Sequence, residues 1–128
     1  MGFGIKKVGI ADERSEIAAM FNNISQNEVG DASFVCDGYE KAIAFKMMLR
    51  SMAPDVLVTD EIGNRRDFEA IFSAQKSGVS VIASIHADSI EDLRNKYDEK
   101  LLNCFEKIVF IKDKCKTYKI FRRKNNDY

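Results

Sequence analysis

The sequence predicts an α/β fold, a mostly parallel sheet covered by helices. Short β-branched runs, Lys7-Val-Gly-Ile-Ala11, Val56-Leu-Val58 and Val79-Ser-Val-Ile-Ala-Ser-Ile85, alternate with longer stretches of helical periodicity. That alternation is the pattern of strands joined by helical crossovers. Turn signals at Ala53-Pro-Asp55, Gly63 and Gly78 separate the segments.

Taken in order, the first strand covers residues 7–11 and ends at Asp12-Glu13. Residues 15–22 predict one or two helical turns, followed by a polar loop over 23–31 whose asparagines and Gly30 discourage regular structure. Residues 33–36 read as a short strand and Asp37-Gly38 as a turn. From 39 to 52, Ala42, Ile43, Phe45, Met48, Leu49 and Met52 recur at helical spacing. Pro54 disfavours helix in the residue before it, and Val56-Leu-Val58 is too short and too β-branched to be anything but a strand. It runs into Thr59-Asp-Glu-Ile-Gly63, so two adjacent carboxylates, Asp60 and Glu61, stand at its tip.

Residues 66–77 carry Phe68, Ile71, Phe72 and Ala74 in an amphipathic pattern that stops at Gly78, a helix C-cap. Residues 79–85 predict a third interior strand, which ends at the chain's one histidine, His86. Ser89 with Asp92 three residues on marks the start of a helix over 90–95, and a short helix follows over 99–104. Residues 107–111 and 117–121 read as strands joined by the charged turn 112–116, the last at a sheet edge.

The 128 residues, 45% hydrophobic and 31% charged, match one globular domain. Twenty basic and twenty acidic side chains cancel, so bulk charge favours neither nucleic acid nor anionic membrane. No run approaches the roughly 18 apolar residues of a membrane span, and the start of the chain lacks a signal-peptide core. A soluble cytoplasmic chain is expected. Cys36, Cys104 and Cys115 are odd in number and widely spaced, which is neither a disulfide framework nor a metal knuckle.

Three strand ends carry ionisable groups: Asp12-Glu13, Asp60-Glu61 and His86. Parallel α/β sheets bind ligands at the carboxyl ends of their strands, so these groups would share one rim. Arg14 is a phosphate clamp or a salt-bridge partner.

The segments Val8-Gly-Ile-Ala-Asp-Glu-Arg-Ser-Glu-Ile-Ala18, Gln26-Asn-Glu-Val-Gly30, Met48-Leu-Arg-Ser-Met-Ala-Pro-Asp-Val-Leu-Val-Thr-Asp-Glu-Ile-Gly63 and Gly78-Val-Ser-Val-Ile-Ala-Ser-Ile-His86 resemble, in order, the stage III sporulation protein AA family. That family is similar to the secretion and pilus-retraction ATPases. The resemblance implies a RecA-like three-layer α/β/α core over residues 1–123, a polar tail over 124–128, and a hexameric ring that uses ATP and Mg²⁺. It further implies a mother-cell ATPase in the cytoplasm, peripheral to the forespore membrane, working with membrane proteins of the sporulation channel and not with nucleic acid. Under it, Asp60 holds Mg²⁺ through water and Glu61 prepares the attacking water. Glu13 and His86 couple the γ-phosphate state, and Asp12, Arg14 and Arg50 bind or sense nucleotide.

The departure from the family is an absent G-x-x-x-x-G-K-[ST] phosphate loop; Gly2-Phe-Gly-Ile-Lys-Lys7 has the wrong spacing and no hydroxyl for Mg²⁺. Ala32 also replaces an arginine common in the family. The expectation is a C-terminal ATPase fragment that lacks the phosphate-loop portion, binds no nucleotide firmly and turns none over alone. A phosphoacceptor receiver domain is the rival: Asp12-Glu13, Asp60 as acceptor, Ser84 and Lys112 would fill its positions. A non-catalytic assembly module is a third reading.

Overall fold

In the computed structural model, residues 6–18, 20–21, 24–25, 33–97, 99–112 and 117–122 are described. The chain divides into two compact units, residues 1–85 and 86–128. The first contains β1 (Val8–Asp12), β2 (Met20–Phe21), β3 (Ile24–Ser25), β4 (Ser33–Asp37), α1 (Lys41–Ser51), β5 (Val56–Glu61), α2 (Arg65–Lys76) and β6 (Ser80–Ser84). Four of these strands form one all-parallel sheet in the order β4-β1-β5-β6, while β2 and β3 pair antiparallel as a separate short ladder.

The steps from β4 to β5 and from β5 to β6 cross the sheet in the same direction. Right-handed crossovers therefore place α1 and α2 on one face, where the two helices pack on each other. Phe45 and Met48 of α1 and Phe68 and Ile71 of α2 are at most 2% exposed. Each contributes roughly 1.5–3 kcal/mol of burial. Gly9 of β1 lets α1 approach: a Cβ there would stand 2.8 Å from both Met48 Sδ and Leu57 Cδ2. On the other face Val35, Ile10, Val58 and Ile82 share a register row. Ile10 is buried, whereas Ile82 is 61% exposed.

Several expectations are corrected. Residues 15–18 form turns and bends and Met20–Phe21 a strand, so no helix covers 15–22 among the described residues. Two local causes compete with helix: the Asp12 carboxylate takes the N–H groups of Glu16, Ile17 and Ala18, and Ser15 sits at φ +56°. The strand expected to be interior, β6, is an edge of the four-stranded sheet. Most of the polar loop predicted over 23–31, the turn residues 113–116 and the tail lie outside the described residues. Helix α1 starts at Lys41 rather than at residue 39, with Glu40 as N-cap. At the end of α2, Gly78 takes φ +83°, the left-handed cap conformation that its sequence position predicts.

The second unit contains α3 (Ile90–Lys96), α4 (Glu99–Leu102), β7 (Lys107–Lys112) and β8 (Thr117–Arg122). Ser89 Oγ accepts the Asp92 N–H at 3.0 Å, the predicted cap. Strands β7 and β8 form their own antiparallel ladder and do not join the parallel sheet. No described helix is long and apolar enough to cross a membrane.

Candidate functional site

Because β1, β4, β5 and β6 run parallel, their carboxyl ends share one edge of the sheet. That edge carries Asp12-Glu13, Asp37, Asp60-Glu61 and Ser84. The register slips between Thr59 and Glu61 where β5 pairs with β6. Such irregularities re-aim side chains at strand tips. Thr59 Oγ1 donates to the Ala11 carbonyl at 3.0 Å and ties β5 to β1 just below the acids.

Asp12 is 0% exposed. Its Oδ1 accepts the N–H groups of Glu16 (2.8 Å) and Ile17 (3.1 Å), and its Oδ2 accepts that of Ala18 (2.9 Å). It organises the loop that carries Glu13 and Arg14. Asp37, at the end of β4, accepts a hydrogen bond from Ser15 Oγ in the same loop.

Lys41 supplies the counter-charge. It opens α1, where the positive end of the helix dipole disfavours a cation, yet it is 4% exposed. Its ammonium donates to Glu13 Oε2 at 2.6 Å and lies 2.9 Å from Asp60 Oδ1. Burial alone would lower its pKa, but the contacts and charges of Glu13 and Asp60 outweigh burial and raise it. The Asp60 contact is one of charge more than of direction: Oδ1 is fully buried and has no well-aligned hydrogen bond. Asp60 Oδ2 accepts a long 3.4 Å bond from the Arg14 N–H.

Glu61 is exposed, and its carboxylate lies 3.9 Å from the Arg14 guanidinium, a contact open to solvent and correspondingly weak. Beyond it, Ile62 N–H bonds the Ser84 carbonyl at 2.8 Å. Asp67, 5% exposed, then accepts the N–H groups of Gly63 and Asn64, while Asn64 caps α2 by accepting the Asp67 N–H. This reciprocal cap fixes the chain where it leaves the acidic tip. Arg50 sits at the far end of α1, roughly 13 Å along the helix axis from Lys41. The structure does not bring it to the rim of its own chain. His86 is exposed, lies two residues beyond β6, and opens the second unit. A cleft of about 450 Å³ in that unit is lined by Asp88, Phe110, Lys119 and Phe121 among others, and by none of the rim carboxylates.

Glu13, Asp60 and Glu61 thus face two cations, Lys41 and Arg14, and the cluster keeps a negative excess. No three His, Cys, Asp or Glu side chains placed to hold a metal ion converge among the described residues. A hydrated Mg²⁺ arriving on phosphate oxygens fits better, since such ions use one or two carboxylates and keep their waters. Asp60 and Glu61 are the strand-tip carboxylates that could hold such an ion through its waters, Oδ1 of Asp60 being taken up against Lys41. Sequence reasoning missed Lys41 and Asp67. Asn64-x-x-Asp67 is a readable capping pattern, whereas nothing in the sequence around Lys41 marks it as buried.

The fold is of the α/β class, a mostly parallel sheet with helices, and the acidic rim stands at the carboxyl ends of its strands. The family described as Sporulation stage III, protein AA matches residues 3–125, and the chain belongs to that family. It is similar to Stage III sporulation protein AA of Bacillus subtilis (strain 168), with 46% identity over 96 residues, which is 75% of this chain and 31% of that protein. The match therefore spans about a third of the curated relative's length.

Proposed function

We propose that this chain is the acidic-rim portion of a RecA-like sporulation ATPase whose complete form hydrolyses ATP to drive or assemble the channel between mother cell and forespore. The phosphate-cradling loop missing from these residues would come from elsewhere in a protein of the relative's length. The observation that carries the reading is the Asp60-Glu61 pair at the carboxyl edge of a parallel sheet, with one carboxylate buried against Lys41 and the other exposed.

Asp60 would hold a hydrated Mg²⁺ through water, and exposed Glu61 would orient or deprotonate the attacking water. When bound, Mg²⁺ neutralises charge on the phosphate oxygens. Glu13, half-buried and held by Lys41, reports the γ-phosphate state. Arg14 reaches phosphate from the same loop, Asp12 shapes that loop from beneath, and Arg50 acts across a subunit boundary of a hexameric ring. The assembly works in the mother-cell cytoplasm, peripheral to the forespore membrane, with membrane proteins of the channel.

The test uses the full-length protein. Glu61→Gln abolishes turnover and spares nucleotide binding; unchanged turnover rejects Glu61 as the base. Titration of the 128-residue chain with Mg·ATP gives weak binding only, and micromolar affinity would refute the division of labour.

One observation favours a receiver-like reading: the order β4-β1-β5-β6 places Asp60 on a central strand beside a lysine. That lysine comes from α1, however, and β7, which ends at Lys112, pairs with β8 outside the parallel sheet. Acid-labile phosphate on Asp60 after incubation with acetyl phosphate and Mg²⁺ would turn the assignment to a receiver.

A further inference from the structure

The ammonium of Lys41 stands where a metal ion would be met. Its Nζ lies 2.6 Å from Glu13 Oε2 and 2.9 Å from Asp60 Oδ1, so one cation is shared by a carboxylate just beyond β1 and another near the end of β5. Two carboxylates, with water completing the shell, are also what a hydrated Mg²⁺ uses. The Lys41 and Asp60 side chains are 5% and 7% exposed, and Asp60 Oδ1 is itself buried. An ion arriving from water therefore meets an oxygen already covered by a like charge.

Neither the helix nor stability asks for a lysine here. The first turn of α1 carries the positive end of the helix dipole, which repels a cation, and Lys46 in the same helix stays exposed. Apolar groups of similar size often stabilise a fold as well as a buried ion pair does. What an ammonium does and an apolar group cannot is draw carboxylates from two strands to one point while occupying that point. The contacts and charges of Glu13 and Asp60 outweigh burial and raise the Lys41 pKa, so the occupant is charged throughout the neutral range.

We propose that Lys41 is the resident cation of the rim: it positions Asp60 and Glu13 and keeps a free divalent ion off them, so that Asp60 is released only to an ion arriving on phosphate oxygens. This rests on the ATPase reading for the metal role of Asp60. A bare ion must displace the ammonium against like charge, whereas one carried by a nucleotide brings anionic oxygens that offset the displaced charge. Lys41 is thus a positioning residue, acting through Asp60, that ties metal capture to nucleotide.

Mn²⁺ and the 128-residue chain, without nucleotide, test the proposal through paramagnetic resonance of the free ion and through the urea midpoint. The parent leaves millimolar Mn²⁺ free and keeps its midpoint. Lys41→Met binds the ion at least about 10-fold more tightly, a decade being a small part of what juxtaposed like charges cost. Its lowered midpoint rises with Mn²⁺ but not with sodium chloride of equal ionic strength. If Lys41→Met is unfolded by itself, the same exchange is read as folding induced by Mn²⁺ in circular dichroism. Lys41→Arg, which keeps the charge, stays as indifferent to Mn²⁺ as the parent, and adding Asp60→Asn to Lys41→Met removes the gain. Neither gain nor induced folding in Lys41→Met overturns the proposal. So does a gain shared by Lys41→Arg, which would trace it to loosened packing rather than to charge. The ATPase reading is tested separately by Glu61→Gln in the full-length protein, so the two fail independently.

Discussion

Lys41 Nζ lies 2.9 Å from Asp60 Oδ1 while donating to Glu13 at 2.6 Å, so one ammonium from α1 joins the ends of β5 and β1. Both members of the Lys41–Asp60 pair are more than nine-tenths buried. Such a pair adds little over an apolar replacement but costs a great deal to break, because the survivor is left charged and unpaired.

Lys41→Met is therefore expected to destabilise the chain by about 3–5 kcal/mol, read as a lowered urea midpoint. Adding Asp60→Asn to that variant should recover part of the loss. Strict additivity of the two substitutions would show that the pair is not coupled.

Stability should fall in alkali. The folded-state pKa of Lys41 is raised above its ordinary 10.5, so its stabilising contribution is complete below about that pH and disappears as pH rises through the higher folded value. Cys36 acts in the same direction: burial, then the charge of Asp37, raises its thiol above 9.0, and ionisation above that value is resisted by the fold. Urea midpoints between pH 8 and pH 11 should decline, and Lys41→Met should flatten the upper part of the decline.

Thiol labelling separates the two described cysteines. Cys36 is 5% exposed with a raised pKa, whereas Cys104 is half-buried. In a Cys115→Ser background at pH 8, Cys104 should react first with a disulfide reagent, and Cys36 should react fast only in urea.

Asp12→Ala leaves the N–H groups of Glu16, Ile17 and Ala18 without their acceptor. A loss of about 2–3 kcal/mol is expected, with hydrogen exchange accelerated at Ala18, the fully buried member of the three. Unchanged protection at Ala18 would mean that the loop holds its shape without the carboxylate.

The parallel strands and both helices of the first unit were legible because periodicity reports burial directly: Phe45, Met48, Phe68 and Ile71 line the sides they were expected to line. The acidic pair was legible as an ending of an apolar run. Lys41 was not, since its burial depends on carboxylates placed by β1 and β5, and nothing within a helical turn of it reveals them. The expected helix over 15–22 failed for a related reason. Its residues have tolerable helix propensity, but a buried aspartate just upstream captures three of their amides, and local patterning does not register that competition. The edge position of β6 was equally hidden, because Val81 and Ile82 read as interior whatever lies beside them.

Gly9 sets how deep the acidic rim's own cation can sit. Met48 and Leu57, which crowd the space above it, are both fully buried. One added methyl group would act as a shim beneath α1. Since Lys41 rides the same rigid helix about 10 Å from Met48, the ammonium would rise with it, and the distance to Asp60 is thus metered by an atom the sequence leaves out.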